Sequence, residues 1–77
     1  MKPVSCYDEK QPVVKNDLLV ALSTEHNLTE GRVYVALTNL GNPEVFVGCV
    51  KVKNDKGVIE EYSTEWFRFY QGEEVSL

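Results

Sequence analysis

Asn54-Asp55-Lys56-Gly57 separates two runs of strand-forming residues, Val50-Lys51-Val52-Lys53 and Val58-Ile59-Glu60-Glu61-Tyr62. That is the length of a type I turn closed by a bulge. Asn and Asp suit its first positions, and glycine suits the last, where φ is positive. Such a turn fixes the register of the strands it joins, and register decides which side chains share a face. Here it sets Lys51 opposite Glu61 and Val50 opposite Tyr62, an ion pair outside and an apolar pair inside. Because the two faces agree, the segment is expected to be an antiparallel hairpin.

The remaining segments are short and strand-like. Leu18-Leu19-Val20-Ala21-Leu22 is an apolar run of strand length. Ser23 to Gly31 is a polar loop in which Asn27 and Glu30 have the spacing to cap a single helical turn. Arg32 to Thr38 is rich in β-branched and aromatic residues, and Asn39 to Pro43 is a loop. A further strand is expected from Val45 to Lys53, with Gly48 marking a bulge or bend. Ser63 can cap one short helical turn, and Arg68-Phe69-Tyr70 forms a brief last strand. No segment keeps a helical hydrophobic period, so the chain reads as all-β with five short strands. Its 77 residues suffice for one small core. Residues 1–13, with Pro3 and Pro12 around a polar stretch, read as a flexible N-terminal arm, 14–70 as the folded unit, and 71–77 as an acidic C-terminal tail.

The order strand, long loop, strand, loop, tight hairpin, helical turn, short strand is that of a small SH3-like barrel. The runs Asn16-Asp17-Leu18-Leu19-Val20, Leu28-Thr29-Glu30-Gly31-Arg32-Val33-Tyr34, Val50 to Gly57 and Glu61-Tyr62-Ser63-Thr64-Glu65-Trp66-Phe67 resemble a family of small SH3-like barrel proteins found mostly in bacteriophages and prophages. The resemblance spans roughly residues 14–69. Asn16 departs from it, standing where the pattern usually has Gly. The resemblance implies the fold, a five-stranded SH3-like barrel with one helical turn before the last strand, and a phage-like origin. It implies no activity.

Eight Lys and Arg stand against 12 Asp and Glu, a net charge of −4. Residues 1–57 are neutral. Arg68 against Glu60, Glu61, Glu65, Glu73 and Glu74 places the whole excess in the last quarter. That balance disfavours phosphate-backbone binding, which needs a basic footprint. The catalytic inventory is thin. His26 is the one histidine and falls in the polar loop, and Glu60 and Glu61 point to opposite faces of a strand. Cys6 and Cys49 are far apart, with no nearby partner for a metal, and read as free thiols. Neither an enzyme, nor a cofactor, nor a metal site is expected. With no signal-like or membrane-spanning stretch, a cytoplasmic location is expected, the host cytoplasm if the chain is phage-encoded.

Two surfaces remain. Trp66 and Tyr70, with Tyr34, are candidates to border a groove for a partner, because Trp and Tyr dominate many interfaces. The competing expectation is that Trp66 and Phe67 plug the open end of the barrel. Lys51, Lys53 and Lys56 cluster near the hairpin as an alternative nucleic-acid contact. Val75-Ser76-Leu77 reads as a frayed end. The expected function is a non-catalytic protein-interaction module, a monomer or weak homodimer, that binds and modulates a host protein. The alternatives are a nucleic-acid-binding barrel and a self-associating structural subunit.

Overall fold

The computed structural model describes residues 4–72, so Glu73, Glu74 and the Val75-Ser76-Leu77 end lie outside the described residues. The hairpin forms in the expected register. Strands β3 (Cys49–Lys53) and β4 (Ile59–Ser63) pair with Val50 opposite Tyr62 and Lys51 opposite Glu61. Gly57, at φ 78°, closes the turn with its N–H on Asn54 O, while the Asn54 N–H donates to Val58 O. The outer ion pair is not made. The Glu61 carboxylate accepts from the Phe46 N–H at 3.2 Å instead.

Three other strands form a second antiparallel sheet. β1 (Leu18–Ala21) lies between β2 (Val33–Val35) and β5 (Phe67–Phe69). This central place explains why β1 is an apolar run without alternation. Leu19, Val20 and Ala21 are all buried. The two sheets touch where Ala36 bridges Val52 and the Leu37 N–H donates to Lys51 O at 2.8 Å. The result is a small, mostly-β protein with five strands in two antiparallel sheets, and no closed barrel is formed among the described residues. A 3₁₀ turn, η1 (Thr64–Trp66), joins β4 to β5, and Ser63 caps it by accepting from the Glu65 N–H. Phe67, Leu19, Val50 and Val52 occupy the centre of the core.

Two segments depart from expectation. The strand expected from Val45 begins only at Cys49. Gly48, at φ 81°, breaks extended geometry, and Asn42 to Gly48 is a turn-rich loop that buries Val45 but exposes Phe46 and Val47. The described part of the expected arm, residues 4–13, is anchored on the core. Cys6–Glu9 forms a helix, α1, capped by Ser5 and ended by Lys10 in left-handed geometry. Cys6 and Val13 are buried, and α1 packs on η1 and β5. A four-residue helix covers barely one 3.6-residue period, so its sequence carries no repeat to detect.

A Cβ on Gly57 would meet nothing nearer than the Lys53 side chain at 3.8 Å, so a substitution there is opposed by backbone geometry alone. Gly57→Val is expected to lower unfolding free energy by about 1–2 kcal/mol in urea titration, with the fold retained. The two thiols are both free, and burial raises the Cys6 pKa to about 12. Half-buried Cys49 should therefore react first with a thiol reagent in the native protein, and Cys6 only after denaturant is added.

Candidate functional site

Aromatic rings run through the molecule in a continuous chain. Tyr34 meets Phe67 edge-on at 6.2 Å, Phe67 meets Tyr62 at 6.1 Å, Tyr62 meets Trp66 at 5.7 Å, and Trp66 stacks flat on His26 at 4.7 Å. The chain begins in the core and ends at the surface, so its members differ in what they can do. Tyr34 is only 5% exposed, and its hydroxyl accepts from the Thr29 N–H and donates to Asp55. It is a core residue and does not border a groove. Trp66 is half-buried and keeps an edge in solvent, with His26 over its face. Tyr70 is half-buried, and its N–H extends the β1–β5 pairing by donating to Leu18 O. The structure thus brings Trp66 together with His26 and Tyr62, and it does not join Tyr34, Trp66 and Tyr70 into one surface.

His26 is the residue that sequence reasoning undervalued. The helical turn expected from Asn27 is absent. Glu25 bridges Leu28, and His26 and Asn27 both adopt left-handed backbone, at φ 53° and 67°. Neither is glycine, so the conformation has a cost that other contacts must offset. The Tyr62 hydroxyl supplies one by donating to His26 O at 2.6 Å. The only available signal was the Asn, which tolerates that geometry better than most residues.

The hairpin tip holds the other side of this loop. Asp55 accepts from Thr29 Oγ1 at 2.6 Å, Tyr34 Oη at 2.7 Å and Arg32 Nη1 at 3.0 Å, and its N–H donates to Asn27 O. The hydroxyl bonds from Thr29 and Tyr34, with Arg32 alongside, hold its carboxyl below the usual value. Burial raises the pKa of Tyr34 and of Tyr62, so both phenols remain protonated donors at neutral pH.

The lysines lie elsewhere. Lys51 and Lys53 share the outer face of β3, and Lys56 is exposed in the turn. Glu61 stands opposite Lys51, which divides the patch and weakens it as a phosphate-binding surface. Among the described residues no group of three or more His, Cys, Asp or Glu is placed to hold a metal.

One hollow among the described residues is not suggested by the sequence. A cleft of about 660 Å³ runs between α1 and the Leu40–Gly48 loop. Its walls include Tyr7, Pro12, Leu40, Pro43, Val45 and Val47. At its mouth Val47 is 88% exposed and Tyr7 61%, and the neighbouring Phe46 is 73% exposed. No protein-family model matches the chain, and neither a curated protein nor a solved structure shows significant similarity to it.

The Asp55 interactions generate a pH dependence of known sign. Its folded pKa is lowered, so its contribution is complete above the unfolded value, about 4, and is lost as pH falls through the folded one. Asp55→Asn should cost about 1–2 kcal/mol at pH 7 in urea unfolding. The difference between the variant and the parent should shrink steadily as the titrations are repeated toward about pH 2.

Proposed function

We infer that the chain is a non-catalytic protein-interaction module on an SH3-like barrel scaffold, phage-derived in type, which binds and modulates a host protein. The connectivity supports the scaffold. The last strand returns to pair with the first, a 3₁₀ turn precedes it, and the strands lie in the order β5-β1-β2-β3-β4, with β2 and β3 linked by the Ala36–Val52 bridge. Asn16 also fits. Its φ of 79° is the left-handed geometry for which the resembling pattern uses glycine, and Asn is among the residues that tolerate it.

The observation that carries the binding role is the apolar cleft beside α1, with Phe46 and Val47 projecting next to it. Large apolar side chains grouped at the mouth of an apolar hollow mark an interaction surface in a soluble protein. The catalytic alternative has nothing comparable. Its one histidine is stacked on Trp66, and Glu60 is bonded to Asn54. The split lysine patch gives the nucleic-acid reading less support than the cleft gives this one.

Phe46→Ser combined with Val47→Asp tests the reading, because both side chains are exposed and their loss should shift the melting temperature little. Immobilised parent protein should retain a host protein from bacterial lysate, and the double variant should retain it at least about thirtyfold more weakly, the loss of roughly 2 kcal/mol typical of an apolar anchor. Equal retention by both would overturn the assignment. A mass that doubles with concentration in the parent alone would give the cleft to a second copy of the chain.

A further inference from the structure

Hydrogen bonds at the two ends of the β3–β4 ribbon determine which backbone groups of β4 face outward. The Asn54 N–H donates to Val58 O, and the Thr64 N–H donates to Gly48 O. Alternation along an antiparallel pair then assigns the inward bonds to Val50–Tyr62 and Val52–Glu60. It turns the N–H and C=O of Ile59, Glu61 and Ser63 away from β3. No other strand pairs with that edge among the described residues.

Glu61 also lines a recess of about 320 Å³, together with His26, Asn27, Glu60, Tyr62 and Trp66. Glu60 turns its carboxylate to this side beside Tyr62, the Glu61 carboxylate is held on the other face by the Phe46 N–H, and no Lys or Arg lines the recess. Glu25 adds a second negative group 3.5 Å from His26 Nε2. The His26–Trp66 stack supplies a flat aromatic face. The walls are set in advance. Tyr62 Oη fixes the His26 backbone, and Asn54 Nδ2 holds Glu60 Oε2 at 2.8 Å.

We propose that the outer edge of β4 binds an extended basic segment of a partner protein, which pairs with the Glu61 backbone and places one Arg or Lys side chain in this recess. A guanidinium there donates charge-assisted hydrogen bonds to the Glu60 carboxylate and stacks on the aromatic face. The edge supplies main-chain affinity and the recess supplies selection, the division of labour in strand-addition complexes. A second copy of β4 fits poorly, because antiparallel self-pairing centred on the outward-facing Glu61 backbone sets the two Glu61 carboxylates side by side. The site is separate from the apolar cleft and does not depend on it.

Trp66 is the only tryptophan in the chain, so its fluorescence reports on the recess directly. The full chain is titrated with a capped pentapeptide of alternating valine and arginine, and with a counterpart carrying neutral citrulline at each arginine. The arginine peptide should saturate the Trp66 signal and bind at least about tenfold tighter than the citrulline peptide. Its affinity should fall as salt is raised. Glu25→Gln removes a charge from an exposed position beside His26 and should weaken the arginine peptide severalfold while leaving the melting temperature unchanged. Amide shifts should fall on residues 25–27 and on β4. Equal affinity for the two peptides overturns the proposal, as does the absence of a saturable signal. Shifts confined to Tyr7, Leu40 and Val47 also overturn it, by assigning the peptide to the cleft.

Discussion

Asn54 closes the hairpin from within. Its Oδ1 accepts from the N–H groups of Lys56 and Val58, and its Nδ2 donates to Glu60 Oε2 and Tyr62 Oη. All four hydrogen-bonding places of the amide are filled, at a residue only 5% exposed. A buried amide left half-satisfied would cost more than it contributes, so this arrangement holds the turn in one geometry. Tyr62 then passes the constraint to His26, and the neighbouring Asp55 passes it through Thr29, Tyr34 and Arg32 to the base of the same loop. The long loop between β1 and β2 is therefore shaped by the turn between β3 and β4.

That dependence explains what was legible in the sequence. The hairpin could be read because its information is local. Gly57 fixes the turn, the turn fixes register, and the alternation of Val50 and Val52 with Lys51 and Lys53 confirms it. The capped turn at Ser63 was local too. The loop tip was not, because its left-handed His26 and Asn27 are held by a tyrosine far along the chain. The same reason hid α1, whose burial comes from η1 and β5 and from no pattern of its own. Phe46 and Val47 misled in the opposite sense. Their β-propensity suggested a strand, but Gly48 at φ 81° ends extended geometry before they can join one.

The candidate site was legible by residue type and not by grouping. Trp66, read as bordering a groove or plugging the open end, lies half-buried against His26 and Tyr62. Tyr34 belongs to the core because its hydroxyl has an interior use, as acceptor for Thr29 and donor to Asp55. The outer ion pair between Lys51 and Glu61 failed for a related reason. A carboxylate at an exposed register position takes the nearest donor, and the loop presents the Phe46 N–H there. Solvent-exposed ion pairs are worth little, so a fixed backbone donor competes readily.

The bridge at Ala36 and Val52 separates two kinds of pairing with different closure costs. The β3–β4 ribbon joins neighbours along the chain, whereas the β1–β5 pairing closes on Ala21 and Phe67. The span from Ala21 to Phe67 is roughly eight times that from Lys53 to Ile59, three doublings of loop length, which adds about 2 kcal/mol of closure entropy. The ribbon is therefore the cheaper pairing to close, and it carries Tyr62 and Asp55, which bond the loop between β1 and β2.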